Sequence, residues 1–595
     1  MSHTSILDRW ADQVERRAAA PALATAERVW SHQELAGLAA GLRDRLATGT
    51  GPVLVACADP VPVVAAILAC AATGRPFAPV DTRQPAARWT ALLEDLRPGT
   101  VLADAAGRSA LAAAGPGPTV AGQHLTVAGQ GELPLLAAES ITPLPWAADD
   151  WTGISGPDAG YVYFTSGTTG RPKGIRGSFE AVAHFLDWEI AEFGIAPGTR
   201  ISMLTSPGFD AFLRDALVPL CAGGTAVLPA PGAIPVGAAL ARWLTEQQVD
   251  LLHCVPTVFR TLRAAGLAAG SLPRLRSVLM AGEPVRPADI AWWRALFGDG
   301  KELVNLYGPS ETTMTKVFRR LTAEDAEAET VPAGRPMPGV EIGVLFGGRP
   351  VVDAIGEIEI RTPFPLRGYL GDAAGGFVAP DRYRTGDLGR LGADGTLEVL
   401  GRRDQQVKVN GARVELGEIE DLLRRHPAVA DVCAALVEEA DGEPVLCAYL
   451  VADGATDEEL RAHAAEGLPA AARPALYLRL AAIPRTLSGK ADRRALPSPA
   501  AALAGHTGEQ PLDGLEAGIA ELWRELLHVP AVGRHDDFAL LGGDSLGIAR
   551  LLDGLRTRFG VEVPLRVYVG DPTVAGLAAA VAAGRADASP EGGRR

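Results

Sequence analysis

The sequence predicts an α/β protein: a large domain of parallel strands and helices, then a small α+β subdomain, then an all-α bundle. Three observations carry this. Short Val/Leu/Ile runs alternate with longer Ala/Leu/Arg segments of helical period, as in VLVAC then VPVVAAILACAATG, and TAVLPA then VGAALARWLTEQQ then DLLHCVP. That alternation marks parallel strands with helices on both sheet faces. From Gly356 the character changes to GEIEIRTP, RYRTGDLGRLGADGTLEVLG and RRDQQVKVNGARVEL, which read as hairpins with Gly and Asp at their turns. Near the end, LEAGIAELWRELLHV, GGDSLGIARLLDGLRTRFG and PTVAGLAAAVAAG read as three short helices, a bundle at the low end of independently folding size.

The expected organisation is a core domain over 1–403, a small subdomain over 404–496, a linker over 497–514, the bundle over 515–585 and a disordered tail over 586–595. The linker, PSPAAALAGHTGEQPLDG, has no sustained apolar face, and the tail is ADASPEGGRR. A chain of 595 residues suits roughly three or four domains of ~150 residues. Its net charge of −15 speaks against a nucleic-acid partner. Six cysteines without CxxC pairs point to unpaired thiols in a reducing compartment, with no zinc site or disulfide framework. The N-terminal MSHTSILDRWADQVERR carries charges where a signal peptide needs an apolar core. Val53 to Ala72 is apolar but contains Asp59, Pro60 and Pro62, so a strand followed by a helix explains it better than a membrane span. The expectation is a cytoplasmic protein with no membrane partner.

Tyr161 to Gly174 reads YVYFTSGTTGRPKG, a β-rich run followed by a turn of hydroxyls and glycines. Gly167 lets backbone N–H groups approach an anion, Thr165, Ser166, Thr168 and Thr169 add donors, and Lys173 adds a point charge. This is a loop suited to phosphate, and its spacing is not that of a P-loop.

The motif resembles the phosphate-binding signature of the adenylate-forming superfamily, and the order of further motifs from about residue 20 to 496 resembles an adenylation domain of a nonribosomal peptide synthetase. The resemblance implies ATP and Mg²⁺ as cofactors. In Asn305-Leu306-Tyr307-Gly308-Pro309-Ser310-Glu311 it implies that Tyr307 stacks on adenine, Asn305 contacts its amine edge, Ser310 faces the α-phosphate and Glu311 binds the metal. Ser310 stands where the family usually has Thr. Asp387 in YRTGDL aligns with the carboxylate that accepts both ribose hydroxyls, and Arg402 in GRRDQQVK with an arginine near ribose and phosphates. Asp404 aligns with a hinge, and Lys490 in PRTLSGK with the catalytic lysine. Lys408 and Gly411 fall near the entry for a thiol arm, with Asn410 in place of the usual Arg. The chemistry needs these types, because a substrate carboxylate must attack the α-phosphorus of ATP while pyrophosphate leaves, which brings anions together.

Asp536-Asp537-Phe538 followed by LLGGDSL resembles a peptidyl carrier protein, which implies a 4′-phosphopantetheine arm on Ser545. The same resemblance maps an amino-acid pocket onto Asp210, Ala211, Arg214, His253, Leu279, Ala281, Leu306, Met314, Thr315 and Lys490, with Asp210 pairing the substrate ammonium. Asp210 could also be a plain helix cap. Arg214 with His253 could bind a polar or anionic side chain; equally, Arg214 could turn to Asp215 and leave an aliphatic pocket of Leu279, Leu306 and Met314, and of the two a polar substrate is the expectation.

The expected function is activation of an amino acid as its adenylate and its loading on the fused carrier, in natural-product biosynthesis. No condensation domain fits before Trp30 and no thioesterase after Gly584, so the thioester is expected to pass to condensation or tailoring enzymes in trans. A phosphopantetheinyl transferase is a required partner, and the need for a small activator protein stays open. An acyl- or aryl-CoA ligase and an inactive nucleotide-binding carrier scaffold are the alternatives.

Overall fold

The computed structural model describes residues 5–588 apart from 152–159, 166–171, 372–375, 438–443, 486–490, 500–510, 542–544, 564–572 and shorter breaks. The chain divides into two compact units, one reaching Arg413 and the other built on Val414–Arg595. The expected boundary lay at 403/404. The difference arises because the hairpin of Gln406–Val409 and Ala412–Glu415 carries Gly411 and Arg413, which hydrogen-bond to Glu283 and Glu311 of the first unit.

The alternating pattern resolves as expected. Val53–Ala56 is a fully buried strand, and the helix Pro60–Thr73 follows it. Asp59 caps that helix by accepting from the Val61 N–H at 2.9 Å, Pro60 fills its first turn where no N–H is needed, and Gly74 ends it at φ +68°. Among the described residues the first unit holds a nine-stranded sheet in which Pro21–Ala24, Thr225–Val227, Arg200–Ser202, Leu251–Cys254, Ser277–Ala281 and Glu302–Tyr307 run parallel. An eight-stranded sheet has a parallel middle of Phe77–Pro79, Val53–Ala56 and Thr100–Ala103. Its edge is the antiparallel pair Gly160–Thr165 and Lys173–Ser178. Most of their strands are buried, which accounts for continuous rather than alternating apolar runs.

The hairpin reading from Gly356 also holds. Ile355–Arg361, Arg382–Leu391 and Leu397–Arg402 pair antiparallel, and burial alternates along Arg382–Leu391 as one face meets the core. Asp394 and Gly395 make the expected turn: Gly395 has φ +82°, and the Asp394 carboxylate accepts from the Thr396 N–H and hydroxyl.

In the second unit, Val429–Val437, Val445–Ala452 and Leu476–Arg479 form one sheet, joined by the helices Leu416–Leu423 and Asp457–Gly467. Among the described residues the bundle helices are Leu515–Leu527, Ser545–Phe559 and Val574–Ala588, cored by Ile519, Trp523, Phe538, Leu551, Leu555 and Leu577. The last helix runs to Ala588, so residues 586–588 are helical, not tail as expected, because the Ala-rich run continues through them. Residues 589–595 and most of the linker lie outside the described residues. No helix among the described residues is long and apolar enough to cross a membrane.

Candidate functional site

The site grows from the end of strand Glu302–Tyr307. Gly308 follows it, where a Cβ would fall 2.1 Å from the Met314 carbonyl oxygen, so the turn closes only on glycine. Ser310–Thr312 make one short helical turn, and Thr313 and Met314 then take left-handed backbone at φ +64° and +56°. Two consecutive non-glycine residues in that region cost about 1–2 kcal/mol each and need outside support. Lys316 supplies it: its buried ammonium donates to the carbonyls of Thr313 at 2.7 Å and Thr315 at 3.2 Å. Burial holds that ammonium down at about 7, partly offset by Asp210. Thr313 is also bound, its hydroxyl 2.9 Å from the Tyr161 hydroxyl.

Tyr307 and Asp387, expected on adenine and ribose, are brought together. The Tyr307 hydroxyl donates to Asp387 Oδ2 at 2.5 Å, and Arg402 Nη1 donates to Oδ1 at 2.6 Å. Thr385 accepts from the Asp387 N–H, which fixes the carboxylate's backbone. Asn305 lies 8% exposed beside them and donates to the Pro332 carbonyl at 2.9 Å.

Glu311 is buried, and its Oε1 accepts from Tyr369 at 2.9 Å and Arg413 at 2.6 Å. Burial works against its charge, yet Arg413 and the Tyr369 hydroxyl hold the carboxyl below its usual range. Its Oε2 is buried without a hydrogen-bond partner. An orphaned carboxylate oxygen in a dry site suits a cation. A single carboxylate is the set that Mg²⁺ uses when substrate phosphates and water complete its shell. No cluster of three or more metal-ligating side chains occurs among the described residues.

Asp210 precedes the helix Ala211–Ala222 but makes no side-chain cap bond, so it is not a helix cap. Its Oδ2 is also buried and unpartnered. Burial pushes its carboxyl up, opposed by the Ser310 hydroxyl and the Met314 N–H, which ties Asp210 to the strained turn. Sheet register gathers the remaining pocket residues. His253 is opposite Leu279, and Ala281 is opposite Leu306 on the next parallel strand. With a side-chain period of two, these four share a face.

Arg214 turns to Asp215, with Nε 3.0 Å from Oδ1. His253 stands between two acids, 3.1 Å from Asp215 and 2.8 Å from Glu189, all fully buried. Burial opposes the Asp215 charge, yet Arg214 and His253 keep its carboxyl below the ordinary range. Both basic candidates of the pocket thus lie against acids of the protein itself.

Thr165 and Lys173 face each other across the last pair of the hairpin, so they form the base of the Thr165–Lys173 loop. Ser166, Gly167, Thr168 and Thr169 lie outside the described residues, as do Lys490, Asp404 and Asn410. Lys408 is exposed on its strand. Ser545 opens the helix Ser545–Phe559, and its side chain is outside the described set. Sequence reasoning missed Tyr369, Arg413, Lys316, Glu283 and Glu189. Only Lys316 left a trace, as a lysine amid the uncharged TTMT and VF.

Comparison with known proteins agrees with this layout. A family model described as AMP-binding enzyme matches residues 10–370, its C-terminal domain matches 418–490, and a phosphopantetheine attachment site matches 517–581. The chain is 36% identical over 558 residues to a probable non-canonical nonribosomal peptide synthetase, CymA, of Salinispora arenicola, covering 91% of this chain and 7% of that protein. It is 32% identical to syringomycin synthase SyrB1 of Pseudomonas syringae, over 94% of this chain and 92% of that one. Of the phosphinothricin tripeptide synthetase PhsC of Streptomyces viridochromogenes it spans 40%. The solved structure of holo-PA1221, a nonribosomal peptide synthetase protein with adenylation and carrier domains, superposes with TM-score 0.77 at 25% identity, covering 97% of this chain and 96% of that one.

Proposed function

Given that the chain belongs to the AMP-binding enzyme family and continues into a phosphopantetheine attachment site, we propose that it activates an amino acid as its aminoacyl-AMP and loads it on the thiol of the Ser545 arm. One observation carries this reading most: the buried, unpartnered oxygens of Asp210 and Glu311, two acids whose neighbouring turn binds both regions together. The first suits a substrate ammonium and the second a cation on phosphate.

Asp387 binds the ribose hydroxyls, and Tyr307 and Arg402 hold its two oxygens in position to do so. Asn305 and Tyr307 line the adenine. Ser310 faces the α-phosphate, and Thr165, Ser166, Gly167, Thr168, Thr169 and Lys173 steer the departing pyrophosphate. Lys490 places positive charge where the carboxylate oxygen meets phosphorus, so the transition state is stabilised more than the separated anions. Mg²⁺ bound at Glu311 supplies further neutralisation of the ATP phosphates. Lys408 and Gly411 flank the path of the arm.

Asp210 pairs the α-ammonium of the substrate. Its side chain meets Ala211, Leu279, Ala281, Leu306, Met314 and Thr315. Arg214 and His253 are taken up by the buried acids Asp215 and Glu189, so an uncharged side chain is favoured over the anionic one that their residue types suggest. A phosphopantetheinyl transferase installs the arm, and a condensation or tailoring enzyme takes the product.

Mass spectrometry of the pantetheinylated protein after incubation with ATP and an amino-acid mixture tests the reading. One aminoacyl mass should appear, absent from Ser545→Ala, while pyrophosphate exchange persists in that variant. Exchange with aryl acids but no amino acid would instead make the enzyme an acid–CoA ligase.

A further inference from the structure

Arg413 is not among the residues that the adenylation reading uses, yet it makes the shortest contact to Glu311. Its strand Ala412–Glu415 is buried at its other three residues, and its own side chain, 27% exposed, reaches a carboxylate that is 1% exposed. The segment is placed there by a second anchor. The Gly411 N–H donates to Glu283 Oε1 at 2.8 Å, and Glu283 Oε2 accepts from the Thr257 N–H and hydroxyl. Gly411 sits at φ +77°, where a Cβ would come within 2.5 Å of Val255 Cγ1. A position that only glycine fills, held by its own buried acid, is a docked state of this segment, and docking is what delivers the guanidinium to Glu311.

We infer that Arg413 and the divalent cation take turns on Glu311. Rather than filling a vacant spot, the guanidinium stands in for the metal's charge. Glu311 needs a positive partner to stay ionised while buried, and either group supplies one. Both together would set a monovalent and a divalent cation on one carboxylate in a water-poor site, where their repulsion is little screened. Tyr369 stays on Oε1 in either case and fixes the carboxylate plane. Arg413 is thus a positioning residue: its withdrawal admits the metal with ATP, and its return replaces the metal that leaves with pyrophosphate. The step is an exchange of cations, and no covalent bond changes. The inference rests on the reading of Glu311 as the cation's ligand.

Binding of Mn²⁺ to the full chain in the presence of a non-hydrolysable ATP analogue, followed by electron paramagnetic resonance, tests it. Arg413→Ala should bind Mn²⁺ about tenfold tighter than the wild type, and Arg413→Lys, which keeps the charge but loses the planar fork, about two- to threefold tighter. A merely structural loss would weaken binding, so the direction decides. Equal or weaker Mn²⁺ affinity in both variants overturns the exchange while leaving the role of Glu311 intact. If Glu311→Gln binds Mn²⁺ as tightly as the wild type, the cation site itself is wrong and the exchange falls with it.

Discussion

Asp387→Asn changes one carboxylate oxygen to an amide nitrogen and should cost the enzyme most of its hold on the nucleotide sugar. A carboxylate offers about four lone-pair sites. Tyr307 takes one on Oδ2 at 2.5 Å and Arg402 one on Oδ1 at 2.6 Å, which leaves one on each oxygen for the two hydroxyls of a ribose. In the amide, one of those atoms becomes a donor that can no longer accept from the ribose hydroxyl before it, and the other accepts without charge. One charge-assisted bond of about 1.5–3 kcal/mol is lost outright and the other is reduced to a neutral one. The sum is about 2–4 kcal/mol, or roughly a 30- to 700-fold rise in KM for ATP at 1.4 kcal/mol per tenfold. The ribose is remote from the reacting phosphorus, so kcat should change far less. Amino-acid-dependent pyrophosphate exchange with ATP titrated reads both constants, and a thermal melt checks the fold. A KM for ATP within threefold of the wild type, or a fall in kcat at constant KM, would refute the reasoning.

Three further outcomes are expected. Lys490→Ala should cut exchange by at least a hundredfold with no change in melting temperature, and wild-type exchange would remove the residue from the mechanism. Lys316→Met should flatten the dependence of stability on pH. With its folded-state ammonium at about 7 against an ordinary 10.5, the unfolded chain binds the extra proton between those values, so wild-type stability rises with pH there, by about 2 kcal/mol from pH 7 to 9. Denaturant midpoints at the two pH values measure the difference between the variant and the wild type. Gly411→Ala should slow loading of Ser545 at least tenfold relative to exchange, because left-handed backbone with a Cβ costs about 1–2 kcal/mol and the new atom meets Val255. Val255→Ala in the same chain should restore part of the rate; unaltered loading in the single variant would show that the docked segment is irrelevant to that step.

Much of the scaffold was legible because its signals are local. Asp59, Pro60 and Gly74 mark the two ends of one helix within a few residues, and Asp394-Gly395 marks a turn, so both were readable without a partner. The nucleotide side of the site was legible by resemblance, and Asp387, Tyr307 and Arg402 do converge. What escaped is long-range. The pairing of Arg413 with Glu311 joins residues 102 apart, and nothing near either announces the other. Arg214 shows a limit at short range: the sequence left a substrate contact and a turn to the adjacent Asp215 both open, and the packing decides for Asp215. The break at Arg413 was displaced for a related reason, since the hairpin is assigned by what it touches, not by where its strands begin.

All six cysteines are buried and outside any disulfide, and burial raises the thiols of Cys70 and Cys221 to about 12 and that of Cys433 to about 11, with Cys57 and Cys254 pushed up as well. An activated acid is an indiscriminate electrophile, and Cys254 sits one residue from the pocket's His253. Those five sulfurs are held in the protonated form and Cys447 is buried, so the prosthetic arm is the exposed thiol available for acylation. The same feature makes gentle alkylation a selective tag: iodoacetamide applied to the folded holoprotein should mark the arm and leave the polypeptide's side chains untouched.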